Sequence, residues 1–187
     1  TARALLEESL ALRGYLGDRR GTANSLHELG KVAAFCARFD EADALFAESM
    51  AIKRELGDKQ GLATSLHSQG RVALERGQGE TARALFLESL QICRELDNRR
   101  GITYALEAFA SLAALPEQAE RAARLYGAAE ALRETLGAPL PANEREEHAR
   151  RVECVRTALE AAAFAAAWAE GRAMTVAQAV AYVENES

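Results

Sequence analysis

The sequence predicts an all-α protein, a right-handed α-α superhelix of stacked 40-residue helix pairs closed by a C-terminal helical cap. Three observations predict it. Only 18 of 187 residues are β-branched (7 Val, 3 Ile, 8 Thr), too few for a sheet-based fold. Ala, Leu, Glu and Arg, all strong helix formers, dominate the rest. Residues 2–41 written above 42–81 give 17 identities in 40 columns, among them Gly17/Gly57, Asp18/Asp58, Gly21/Gly61, Leu26/Leu66, His27/His67 and Gly30/Gly70. A period of this length marks units that bury their apolar faces only by stacking on neighbours.

Each element follows from local pattern. Residues 1–16 read as an orphan second helix, with no first helix of its own in this sequence. Three pairs follow at 18–56, 58–96 and 98–136. In the second, Asp58 is the N-cap of a helix from Lys59 to Arg76, with Leu62, Leu66, Gly70 and Ala73 near one face. Gly77 and Gly79 break it, and a helix from about Glu80 to Leu96 sets Ala82, Leu85, Phe86, Ser89, Leu90 and Cys93 at i, i+3, i+4 spacings. Asn98 caps the next helix, and Pro116 opens another that runs to Leu136.

The repeat region therefore spans 1–137, and 138–187 is a non-repeating cap. Gly137-Ala-Pro-Leu-Pro141 is the clearest joint. A long helix from Asn143 to Glu170, bent near 160–163, is expected to end at Gly171. Thr175 then caps a short helix with Val176, Ala179, Val180 and Val183 on one side. Phe164 and Trp168 read as the core of this cap.

Composition narrows the function. A net charge of −5 weighs against nucleic-acid binding as the whole role. Cys36, Cys93 and Cys154 are widely spaced and odd in number, which argues against a disulfide framework or zinc knuckle and for a reducing, cytoplasmic setting. No nucleotide-binding loop, His-Glu-x-x-His or Gly-x-Ser-x-Gly occurs, so no catalytic residue, metal site or cofactor is expected.

The unit resembles a tetratricopeptide repeat on Leu26, Leu29, Gly30, Ala33, Ala42, Phe46 and Ser49, then on Leu66, Gly70, Ala73, Ala82, Phe86 and Ser89. Leu106, Ala110, Ala113, Ala122, Tyr126 and Ala129 continue the series. Two features depart from that signature: its large first residue is Leu rather than Trp, and Arg54 and Arg94 stand where it closes with Pro. The resemblance implies an interaction scaffold whose first helices line a concave groove. Carried over position by position, the groove residues are Asn24, His27, Lys31 and Ala34, then Thr64, His67, Arg71 and Leu74, then Tyr104, Glu107, Ser111 and Ala114. The twice-repeated His followed by a cation has two readings: a locally basic groove for an acidic protein or peptide, or solvated remnants of a duplication.

The joint Glu55-Leu-Gly-Asp-Lys-Gln-Gly61 and the segment 164–174 resemble the repeat regions of large bacterial ATP-dependent transcriptional regulators. That likeness implies a regulatory scaffold, the sensor arm of such a protein, with its ATPase module outside these residues. The alternatives are a receptor for a small inducer or signalling peptide and a passive oligomerisation spacer. Self-association is expected through the open N-terminal helix or the Ala-rich C-terminal helix. Neither direct nucleic-acid contact nor membrane insertion is expected.

Overall fold

The computed structural model describes residues 2–114 and 116–185. Thr1, Leu115, Glu186 and Ser187, which the expected orphan helix, third pair and cap include, lie outside the described residues. The fold is all-α, built from α1 (Ala2–Tyr15), α2 (Arg19–Phe35), α3 (Phe39–Glu55), α4 (Lys59–Glu75), α5 (Gly79–Glu95) and α6 (Arg99–Leu112), then α7 (Ala119–Leu136), α8 (Arg145–Thr157), α9 (Ala161–Arg172) and α10 (Val176–Glu184). No strand occurs among the described residues. None of the described helices is long and apolar enough to cross a membrane.

The repeat is visible atom by atom. Asp18, Asp58 and Asn98 each fold their side chain over the first turn of the following helix and accept the amide of Gly21, Gly61 and Gly101 at 2.9, 3.0 and 2.9 Å. Glycine leaves room for this cap, because a Cβ on Gly61 would lie 2.4 Å from the Asp58 carboxylate and push it aside. The joints repeat at half the sequence period. Residues 17, 37, 57, 77 and 97 all adopt positive φ, between 46° and 71°, although 37 is Ala and 97 is Asp. Gly137 continues the series at 57°. Gly79 therefore does not help to end α4; it is the first residue of α5.

Residues 1–96 form one compact unit and 97–187 a second, so the non-repeating helices belong with the third pair. In the first unit α2 packs on α3, α3 on α4 and α4 on α5. The aromatic pegs are Phe46 and Phe86, both fully buried, and each ring lies where a side chain on the opposing Gly30 or Gly70 would have to go. Ser49 and Ser89 donate to the Ala23 and Ala63 carbonyls at 2.7 and 2.9 Å, so these buried hydroxyls are satisfied in the same way in both copies. Exposed ion pairs such as Arg19–Glu55 and Lys59–Glu95 join one joint to the next and add little stability. None of the residues of α1 is buried, and Leu5, Leu12 and Leu16 stay exposed, whereas Ile52, the equivalent of Leu12, is covered by Ala23 and Leu26.

In the second unit Tyr126 takes the aromatic position and is 1% exposed. Pro116 opens a short 3-10 turn (Pro116–Gln118) before α7 begins at Ala119. The long helix expected over 143–170 is two helices. Glu160 is extended (φ −63°, ψ 146°), and the chain turns between α8 and α9. Gly171 does not stop α9. It is buried within the helix at its crossing with α7, where a Cβ would stand 1.9 Å from the Arg124 carbonyl oxygen. Gly127 makes the reciprocal approach, 2.4 Å from the Trp168 carbonyl. Trp168 is half-buried, stacks near Phe164 with ring centroids 5.3 Å apart, and donates its indole N–H to Glu130 at 3.0 Å. Thr175 and Gln178 form a capping box at the start of α10, whose Ala179, Val180 and Val183 are buried.

Candidate partner-binding faces

In the first unit the candidate residues lie on α2 and α4, which touch each other. Asn24, Lys31, Thr64 and Arg71 are exposed. Lys31 Nζ lies 2.9 Å from Glu28 on the same helix, which screens its charge. Ala34 and Leu74 are half-buried at the far end of the row. Phe35, beside them, is 94% exposed and packs on nothing substantial.

His27 is a correction. It is 6% exposed, beneath the face rather than on it, because its ring packs 5.5 Å from Phe46. Its Nδ1 lies 3.0 Å from Ser65 Oγ, and Ser65 Oγ also receives the ammonium of buried Lys53 at 2.8 Å. With the ammonium donating, the hydroxyl hydrogen is left for Nδ1, which makes the neutral ring the natural partner. Burial, the Lys53 charge and Lys31 push His27 down to about 4, against the pull of Glu28. Burial likewise lowers Lys53, with Asp58 and Glu28 partly opposing. At neutral pH the first His-and-cation pair thus offers one cation. His67 is half-buried, its ring 5.4 Å from that of Phe86.

This geometry gives a pH dependence. The folded-state pKa of His27 lies below its unfolded value near 6.5, so the unfolded chain binds the extra proton first. The stability due to neutral His27 is present above pH 6.5 and is lost as pH falls toward 4. The loss is about 3 kcal/mol. Urea midpoints at pH 7 and pH 4 should differ more for the natural chain than for His27→Gln; identical differences would contradict the assignment.

The equivalent face of the third pair is closed. Glu107 on α6 receives Arg133 Nε and Nη2 of α7, both at 2.8 Å, and its Oε1 lies 3.5 Å from His148 Nε2 on α8. Burial raises the Glu107 carboxyl, but the hydrogen bonds from His148 and Arg133 and their charges outweigh it and hold the group below the usual carboxylate range. The Arg133 guanidinium also lies 4.7 Å from the Tyr104 ring centre. Ser111 Oγ gives its hydrogen to the Glu107 carbonyl and meets both the Tyr126 hydroxyl, at 3.0 Å, and Arg151 of α8, at 3.2 Å. Glu107 and Ser111 are therefore brought together under α8, with Tyr104 against Arg133 beside them. Sequence reasoning missed Arg133, His148 and Arg151. For Arg133 a signal existed: it stands 26 residues after Glu107, the offset that also joins Ser49 to Ala23.

Among the described residues no group of three or more His, Cys, Asp or Glu could hold a metal ion. Burial raises the Cys93 thiol, with Ser89 opposing, which disfavours the reactive thiolate. No curated protein matches the chain. Residues 22–95, the stretch that holds nearly all of α2 to α5, match the family model described as tetratricopeptide repeat. That stretch is therefore similar to tetratricopeptide repeats, non-catalytic scaffolds through which proteins bind other proteins or peptides.

Proposed function

We propose that the chain is the regulatory interaction arm of a bacterial ATP-dependent transcriptional regulator, and that its first unit binds an acidic peptide or protein segment along α2 and α4. The observation that carries the binding reading is the exposed row Asn24, Lys31, Thr64 and Arg71 on two adjacent first helices. The Asn24 amide and the Lys31 and Arg71 cations supply donors that suit carboxylates and peptide carbonyls, while the Thr64 hydroxyl gives its own hydrogen to the Gln60 carbonyl at 3.1 Å. The regulator context rests on the likeness of the forty-residue joints and of segment 164–174. The uncovered Leu5 and Leu12 of α1, with Leu16 just after it, support self-association as an accompanying property.

The test is a titration of the full chain with a fluorescein-labelled peptide rich in Asp and Glu, with a Lys-rich peptide of equal length as control. The acidic peptide should bind, and Lys31→Ala with Arg71→Ala should weaken it about tenfold or more while leaving the melting temperature unchanged. Equal binding of both peptides, or no effect of the double change, would sink the acidic-partner reading. A spacer would show no binding at all.

A further inference from the structure

Helix α8 is unlike its neighbours. Of its 13 residues, Arg-Glu-Glu-His-Ala-Arg-Arg-Val-Glu-Cys-Val-Arg-Thr, only Val155 is buried. It is flanked by the Pro139–Pro141 joint on one side and by the non-helical turn at 158–160 on the other. Three side chains on one stripe, at i, i+3 and i+7, face the protein. His148 meets Glu107 and sets its ring edge-on to Tyr126 at 5.4 Å, Arg151 meets Ser111, and Val155 supplies the apolar contact. By contrast α9 is locked onto α7 by the Gly127 and Gly171 crossings and by Arg124–Glu170 and Arg172–Glu130 ion pairs. An isolated helix of α8's length is marginal in water, so its order depends on that narrow seat.

The seat itself is acceptor-rich. The Glu107 carboxylate, already paired with Arg133, also turns Oε1 toward His148 of α8, and Ser111 Oγ, having given away its own hydrogen, can only accept from the α8 side. Ser111 stands at the position of exposed Lys31 and Arg71, and Glu107 at that of buried His27 and half-buried His67.

We propose that the α6–α7 face is a second interaction surface, specific for a basic helix, and that α8 is its tethered occupant. The partner helix that competes with α8 carries a cationic or imidazole donor, a second cation three residues later and an aliphatic residue four further on, the pattern His148-x-x-Arg151-x-x-x-Val155. This surface is opposite in charge preference to the α2–α4 face and is governed by release of α8, through melting or swinging about 158–160. The array then offers one site that is always open and one that opens only when its own helix leaves.

The experiment uses the full chain and a fluorescein-labelled synthetic peptide of residues 143–159. In hydrogen exchange, amides of 145–157 should exchange at least tenfold faster than those of α7 and α9, reporting release of α8 without loss of its supports. Val155→Asp, which lies on the tethered helix and leaves the seat intact, should bind the peptide at least tenfold more tightly than the natural chain does. The double change His148→Ala with Arg151→Ala provides the same release if Val155→Asp lowers expression. Adding Glu107→Gln to either variant should remove the binding, and a peptide with His148 and Arg151 both replaced by Glu should not bind. Protection of α8 equal to that of α9, or no peptide binding to either released variant, would overturn the proposal. Neither result touches the acidic-peptide titration, which probes α2 and α4.

Discussion

Truncating Phe86 to alanine lowers stability by about 4 kcal/mol, because the ring is fully buried and its removal leaves a void between α4 and α5 that rigid helices fill poorly. Gly70 opposes the ring across the void and has no side chain to move into it; a Cβ there would lie 2.5 Å from the Phe86 ring in the natural chain. His67, which leans on the same ring, loses its support and with it its fixed place beside Arg71. Circular-dichroism melts should show a fall of several degrees or more for Phe86→Ala. Phe35→Ala, at a residue 94% exposed, is the internal control and should change stability by no more than about 0.5 kcal/mol. Equal effects of the two substitutions would show that the aromatic peg is misplaced.

The second large effect is expected at Gly171. Valine there meets the backbone of α7, since even a Cβ would stand 1.9 Å from the Arg124 carbonyl, and neither helix can yield without giving up its own hydrogen bonds. The cost is about 3 kcal/mol, and α9 must lift away from α7. Lifting breaks the registry of Arg124 with Glu170 and of Arg172 with Glu130 and Glu134. Trp168 is the sole tryptophan in the sequence, so its fluorescence reports on this helix alone. Gly171→Val should shift its emission to the red and lower the melting temperature. An unchanged spectrum would mean that the crossing tolerates a side chain, contrary to its geometry.

The parts of the fold legible in the sequence were those written locally. Asp58 as a cap, Gly77 as a stop, and Phe46, Phe86 and Tyr126 as core residues all follow from spacing within one helix or one joint. The parts that escaped depend on what a neighbouring helix brings. His27 sits at a position that the family resemblance directs into a groove. Its burial arises because Ser65 of α4 meets Nδ1, Lys53 of α3 bonds the same hydroxyl and Phe46 packs against the ring, and no pattern within α2 announces that. The bend expected near 160–163 proved a full break between α8 and α9, which the alanines that follow Glu160, strong helix formers, did not announce. Gly171 was read as a stop because a glycine before a cap residue has the same appearance in sequence whether it ends a helix or admits another. The candidate face divided in the same way. Exposure of Lys31 and Arg71 was legible from polarity, whereas the cover over Glu107 comes from a segment 40 residues further along that does not repeat.

The left-handed joints at 17, 37, 57, 77 and 97 recur every twenty residues, whichever class of helix precedes them. A chain articulated at such uniform intervals can be spliced by whole modules, because cutting at one joint and rejoining at another recreates a junction of the same hand. Its length is thus an evolutionary variable that can change by copying whole helix pairs rather than by redesigning side chains.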